Sequence, residues 1–339
     1  MFQNVQILRG IAAAMVVLFH AVPWFRFDAA TPPLMQQVFH LWGKSGVDLF
    51  FVISGFVIML SQSRAQRDFG AFLRDRALRI LPLYWLLTAA FMVLLVALPG
   101  SFAGQPPVTA ERALLSFGMV NWLLLREWPI LFVGWSLEYE ALFYLLFALA
   151  GLVLPLRRVV WVLGAVLALS VALGWLENMV LEFVAGMLIA RLRMARAHLP
   201  FAGGILALGV IGFVLPILGT PIEPRAFYQG IPSAMIVLGA VFLPQVKSRF
   251  GEYLGSASYS IYLGQVFALP AANKLVQKLM PGAAYDLKVL VMGAVGIALG
   301  CLLYSVIERP MTRWLHGRNR RAHRAPATGQ AAPARARPF

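Results

Sequence analysis

Apolar residues gather in ten long runs along the chain, at about 5–23, 45–62, 80–99, 135–155, 158–175, 178–191, 201–219, 231–245, 255–272 and 287–307. A helix needs about 20 such residues to cross a bilayer; the sixth run is short and the eighth marginal. The pattern predicts an all-α polytopic membrane protein with about ten transmembrane helices. A further apolar stretch, Leu114 to Leu125, is short and flanked by Arg112 and Arg126. It reads as an interfacial or re-entrant helix on the outer side, because a full span there would invert everything downstream. Residues 317–339 are rich in Arg, Ala and Pro and read as disordered. The chain therefore divides into a transmembrane domain, 1–315, and a basic cytoplasmic tail, 316–339.

Composition agrees with that division. Of the 339 residues, 60% are hydrophobic and 13% charged, and the mean hydropathy is +0.76. Soluble domains carry about 25% charged residues. The net charge of +15 raises nucleic acid as a partner, so the placement of the charge decides. With the N-terminus inside, twenty basic residues (twenty-one with Arg9) fall on the cytoplasmic side and eight outside. Basic residues collect in cytoplasmic loops, so both termini are expected to be cytoplasmic and no nucleic acid is needed. The tail is expected to lie against anionic lipid. The first run has no A-x-A-like cleavage site and is followed by many more. Cys301 is the single cysteine, which excludes a disulfide framework and a cysteine-ligated metal site. Walker, G-x-S-x-G, Rossmann and metal-spaced histidine patterns are absent, so neither a covalent nucleophile, a metal nor a permanently bound cofactor has support.

The candidate chemistry lies in polar residues inside the apolar runs. Arg9 and His20 are eleven steps apart, about three turns plus 20°, so they share a helix face about 16 Å apart. Ionisable groups at such depth face protein or a water-filled cavity, and histidine exchanges protons near neutral pH. A structural histidine bonded between helices is the other reading. Asp48, in GKSGVDLFFVISGF, is a proton acceptor, a cation partner or a helix cap, with the structural partner favoured. Gly46 and Gly55 permit close helix approach, and Ser54 can bond across an interface. In the loop RDRALRILPLYW, Arg76 and Arg79 share a face. They suit a phosphate or pyrophosphate, or simply anchor the cytoplasmic side.

The run GWSLEYEALFY places Ser136, Glu140, Phe143 and Tyr144 on one face, whereas Glu138 points about 200° away from Glu140. Glu140 can orient a histidine or bind a sugar hydroxyl. A carboxylate at a helix N-terminus, favoured by the dipole, is the reading that fits Glu138 better. Glu182 is near mid-span and needs a partner, for which an arginine of a neighbouring helix is expected. Glu308 beside Arg309 reads as a boundary ion pair. Ser258, Tyr259, Ser260, Tyr262 and Gln265 line a polar path or join helices.

In their order these stretches resemble the acyltransferase 3 family of integral membrane acyltransferases. The likeness covers nearly the whole chain to about residue 315. It rests on LRGIAAAMVVLFHA with Arg9 and His20, GVDLFFVISGF, RALRILPLYW with Arg76 and Arg79, and WSLEYEALFY with Glu140 at the family glutamate. The resemblance implies a cytosolic acyl-CoA donor, acetyl-CoA above all. It also implies an acceptor hydroxyl on an exported or cell-envelope glycan or lipid-linked sugar, and a site in the inner membrane of a bacterium. The chain resembles compact members linked to exopolysaccharide acylation, without an esterase-like domain, for which polysaccharide-export machinery is a natural partner. It departs from many members in having Gln265 where they have a histidine after S-Y-S-x-Y-L.

On this reading Arg76 and Arg79 hold the CoA phosphates, Arg9 steadies CoA or a carboxylate, and His20 is the general base. Glu140 then serves as orienter or acceptor ligand. The rivals are a flippase for a lipid-linked sugar with His20 as proton relay, and a non-enzymatic membrane sensor. Neither an inverted repeat nor paired broken helices favours the flippase.

Overall fold

The computed structural model describes residues 2–25, 33–65, 68–98, 106–195, 198–218 and 225–322, and these contain helices but no strand. Among them are fourteen α-helices. The first seven are α1 (Gln3–Ala21), α2 (Leu34–Trp42), α3 (Ser45–Ala65), α4 (Phe69–Ala97), α5 (Ala110–Phe117), α6 (Asn121–Leu125) and α7 (Gly134–Val153). The remainder are α8 (Leu156–Ala172), α9 (Leu181–Met194), α10 (Ala202–Leu218), α11 (Ile231–Phe242), α12 (Arg249–Leu279), α13 (Tyr285–Leu303) and α14 (Arg309–Ala322). Wide π-type turns, Ala226–Gly230 and Tyr304–Glu308, lead into α11 and α14.

Each of the ten predicted runs lies on a helix. Five segments are long and apolar enough on their own to cross a membrane: Gln3–Trp24, Ser45–Ser63, Phe69–Ala97, Gly134–Val153 and Tyr285–Leu315. The others fall short for physical reasons. Helix α9 has 14 residues and rises about 21 Å, less than the hydrocarbon thickness of about 30 Å. Helix α12 is 31 residues long but carries the polar run from Ser258 to Gln265.

Three local expectations are corrected and one helix is added. The arginine-rich stretch before residue 80 is helix rather than loop, because the Asp68 carboxylate caps α4 by accepting the Ala71 N–H at 3.1 Å. The Leu114–Leu125 stretch is two short helices, α5 and α6, broken where Met119 takes a positive φ of 56°. Helix α2 was not anticipated; Asp286 accepts the Met35 N–H at its start, at 2.9 Å. Helix α14 runs to Ala322, into the stretch read as tail. Residues 323–339, and Arg26, Arg67 and Arg196 of the charge count, lie outside the described residues.

The centre of the bundle is the crossing of α3 and α9. A Cβ on Gly55 would lie 2.0 Å from the Phe183 carbonyl oxygen, and one on Gly186 2.0 Å from that of Val52. Only glycine lets two backbones approach so closely, which is how helices gain packing energy in lipid. Phe183 stacks on Phe51 at 4.3 Å and on Phe143 at 4.4 Å, tying α3, α9 and α7 together. Helix α1 packs between α3 and α12: a Cβ on Gly46 would lie 2.4 Å from the Ala12 carbonyl oxygen, and one on Gly255 2.2 Å from that of Gln6. This wedges α1, with Arg9 and His20, against the helices that complete the site.

Candidate active site

A cavity of about 710 Å³ opens among α1, α3, α4, α7 and α12. On α3 its wall runs from Ser61 to Val47, fourteen residues or about 21 Å of helix. Arg74, Asp75, Arg76, Arg79 and Thr312 stand at the Ser61 end, and Val47, Phe50, Ser136 and Tyr262 at the other. Arg9 joins the wall from α1, so four arginines face two carboxylates, Asp75 and Glu140. Because α4 is helical through this region, Arg76 and Arg79 share the cavity face as their three-residue spacing requires. The Arg76 guanidinium lies 5.7 Å over the Phe72 ring, and its buried Nε has no hydrogen-bond partner among the described residues. Arg9 donates to Gln6 Oε1 at 3.2 Å and feels the charges of Arg79, Glu140 and Glu308. On the opposite wall, Glu140 Oε1 accepts hydrogen bonds from Ser54 Oγ at 2.8 Å and from the Tyr144 hydroxyl.

The far end of the cavity is closed by a polar plug. The Tyr262 hydroxyl donates to the Val133 carbonyl at 2.9 Å and lies 2.6 Å from Ser136 Oγ, while Phe50 meets the Tyr262 ring edge-on at 6.0 Å. His20 is half-buried and is not among the residues lining the cavity. It stands one turn of α12 further on: its Nδ1 is 3.0 Å from Gln265 Oε1 and 3.0 Å from the Val16 carbonyl oxygen. The Phe19 and Phe132 rings meet it edge-on, at 5.0 and 5.2 Å. The partner that orients the imidazole is thus Gln265, while Glu140 is engaged with Ser54 and Tyr144.

Residues 2–307 match the family described as the acyltransferase domain. The chain belongs to the acyltransferase 3 family. It is 34% identical over 304 residues to the exopolysaccharide production protein ExoZ of Rhizobium meliloti (strain 1021), covering 82% of this chain and 92% of that protein. It is 26% identical over 374 residues to the acyltransferase MdmB of Streptomyces mycarofaciens, covering 94% and 93%. No solved structure matches.

In this acyltransferase, six of the nine candidate residues surround one cavity: Arg9, Arg76, Arg79, Ser136, Glu140 and Tyr144. His20, Asp48 and Glu182 lie elsewhere. Asp48 is fully buried and forms a two-bond fork with Arg225, Nε to Oδ1 at 3.1 Å and Nη2 to Oδ2 at 2.7 Å. Glu182 lies beside Asp48 in the field of Arg225. As ionised groups the two carboxylates could only repel each other, and Arg225 is the cation they share. Arg225 is 177 residues from Asp48, and no local spacing could have paired them.

Two further acidic readings are settled by their contacts. Glu138 is a helix N-terminal carboxylate, but for α6 rather than its own helix, accepting the Leu123 N–H at 3.1 Å. Glu308 is not half of a boundary ion pair with Arg309. It is buried and accepts from Ser260 at 2.6 Å, whereas Arg309 is exposed. Ser258, Tyr259 and Tyr262 of the α12 run line the cavity, while Ser260 and Gln265 join neighbouring helices. Sequence reasoning missed that Ser54 is a partner of Glu140 and that Tyr262 forms the plug; a polar residue within an apolar run was the signal available for both.

Proposed function

We propose that this protein moves an acyl group, acetyl above all, from cytosolic acyl-CoA to a hydroxyl of an exported or cell-envelope glycan. It does so as a ten-span protein of a bacterial inner membrane with both termini cytoplasmic. The observation that carries the reading is the arginine-lined cavity, whose Tyr262 end lies one turn of α12 from Gln265, the residue that meets His20. Arg9, Arg76 and Arg79 suit the phosphates of CoA, since guanidiniums make paired, charge-assisted hydrogen bonds to phosphate oxygens. The thioester arm extends along α3 toward the Ser136–Tyr262 plug, which must part for the acyl carbon to reach His20. The acceptor hydroxyl oxygen attacks the thioester carbonyl as its proton passes to the imidazole. The C–S bond then breaks, and the leaving thiolate takes the proton back. General-base help of this kind contributes roughly 10²–10⁴ in rate, and the remainder comes from holding both substrates. Glu140, with Ser54 and Tyr144, is suited to bind a hydroxyl on the cavity wall. The ExoZ likeness supports an exopolysaccharide or its lipid-linked precursor as acceptor.

The test is transfer of radiolabel from acetyl-CoA to the lipid-linked saccharides extracted from the host membrane, using the purified protein in nanodiscs. Label should appear as an alkali-labile ester on saccharide. Movement of unlabelled saccharide across a vesicle membrane, with no ester formed and no CoA consumed, would overturn the transferase reading in favour of a flippase.

A further inference from the structure

The plug and the histidine are joined by one side chain whose hydrogen bonds leave no choice of orientation. Gln265 is fully buried. Its amide nitrogen donates to the Tyr262 carbonyl at 2.7 Å, and its amide oxygen is 3.0 Å from His20 Nδ1. Turning the amide over would set its oxygen against the Tyr262 carbonyl oxygen, so the oxygen is what His20 meets. The second neighbour of Nδ1, the Val16 carbonyl, is also an acceptor only. Two acceptors at one ring nitrogen require that nitrogen to carry the proton.

We propose that Gln265 is a positioning residue that holds His20 as the Nδ1–H tautomer and leaves Nε2 as the atom that accepts the acceptor's proton. The proposal rests on the reading of His20 as general base. It replaces the charged orienter familiar from hydrolytic triads with a neutral amide, which fixes the ring without adding another carboxylate to the interior. It also links the two ends of the site. Tyr262 both closes the cavity through its hydroxyl and anchors Gln265 through its carbonyl, so a displacement of this turn of α12 would move plug and base together.

The tautomer is measured directly by nitrogen NMR of the full chain, labelled with 15N-histidine and held in nanodiscs. The chain has five histidines, and the signals absent from His20→Asn identify residue 20. Expected are a pyrrole-type Nδ1 and a pyridine-type Nε2; the reverse pattern would overturn the proposal. Acetyl-CoA hydrolysis, with water as the acceptor, gives the second readout. Gln265→Met keeps the size but removes the acceptor. It should lower kcat about tenfold, the net contribution of one hydrogen bond, with KM for acetyl-CoA unchanged. Gln265→Glu, as the neutral acid that burial favours, keeps an oxygen facing Nδ1 and an O–H to donate to the Tyr262 carbonyl, and should stay within about threefold of the parent. A Gln265→Met protein with parental kcat and tautomer would sink the idea. If Gln265→Met does not fold, the parental tautomer and the Gln265→Glu turnover still decide it. Normal turnover by His20→Gln with the expected tautomer would instead remove the general-base reading and leave the assignment of the proton standing.

Discussion

Arg79 distinguishes two roles that charge alone cannot separate. A guanidinium that grips phosphate matters only to donors that carry phosphate, whereas one that anchors the cytoplasmic face matters to all donors alike. Arg79→Ala is expected to raise KM for acetyl-CoA about tenfold, the size of one charge-assisted hydrogen bond, and to change KM for acetyl-pantetheine less than about twofold. Equal losses with both donors would leave anchoring as its only role. The Asp48–Arg225 fork is a matter of stability. Arg225→Met leaves Asp48 and Glu182 adjacent and without their cation, so it should cost about 3–5 kcal/mol. Asp48→Asn leaves Glu182 near Arg225 and should cost about 1–3 kcal/mol, the loss of hydrogen bonding at a buried group. Denaturation of both variants checks the order, and a costlier Asp48→Asn would show that Glu182 is no partner. At this scale the sequence disclosed which polar residues were out of place in lipid, because each stood against an apolar background. It did not disclose their partners, since Ser54 and Glu140, or His20 and Gln265, meet only after helices distant in the chain have packed.

Helix packing decides which of those meetings occur. Gly186 touches backbone on α3 closely enough that even a methyl group must push the helices apart. Gly186→Ala should therefore destabilise by at least about 2 kcal/mol, the cost of overpacking. Gly204 in α10 has nothing within 4 Å of an added Cβ, so Gly204→Ala should be neutral or stabilising by about 0.5–1 kcal/mol. Thermal unfolding of the pair is the check, and indifference at Gly186 would contradict the close crossing. The existence of the helices was legible because hydropathy reports burial in lipid directly. Their ends were less so. The Asp68 cap extends α4 back across three arginines, a reversal that hydropathy cannot register because charge normally marks the end of a span. The break between α5 and α6 lies at a single positive-φ residue, which an apolar window averages away.

For the whole molecule, topology and chemistry have to agree, since a cytosolic donor needs the arginine end of the cavity on the cytoplasmic side. A reporter fused after Phe339 is expected in the cytoplasm and one inserted near Gly104 outside; both on one side would remove the ten-span topology. The most direct test of the proposed chemistry is single-turnover acyl transfer by purified His20→Gln in nanodiscs, beside retention of acetyl-CoA by the same sample. Glutamine preserves much of the size and hydrogen bonding of histidine but cannot take up a proton near neutral pH. The expected result is a folded protein that binds acetyl-CoA as the parent does and forms no ester. In the parent, ester formation should fall on acidification as the imidazole gains its proton. Near-normal transfer by folded His20→Gln would contradict general-base catalysis at this site.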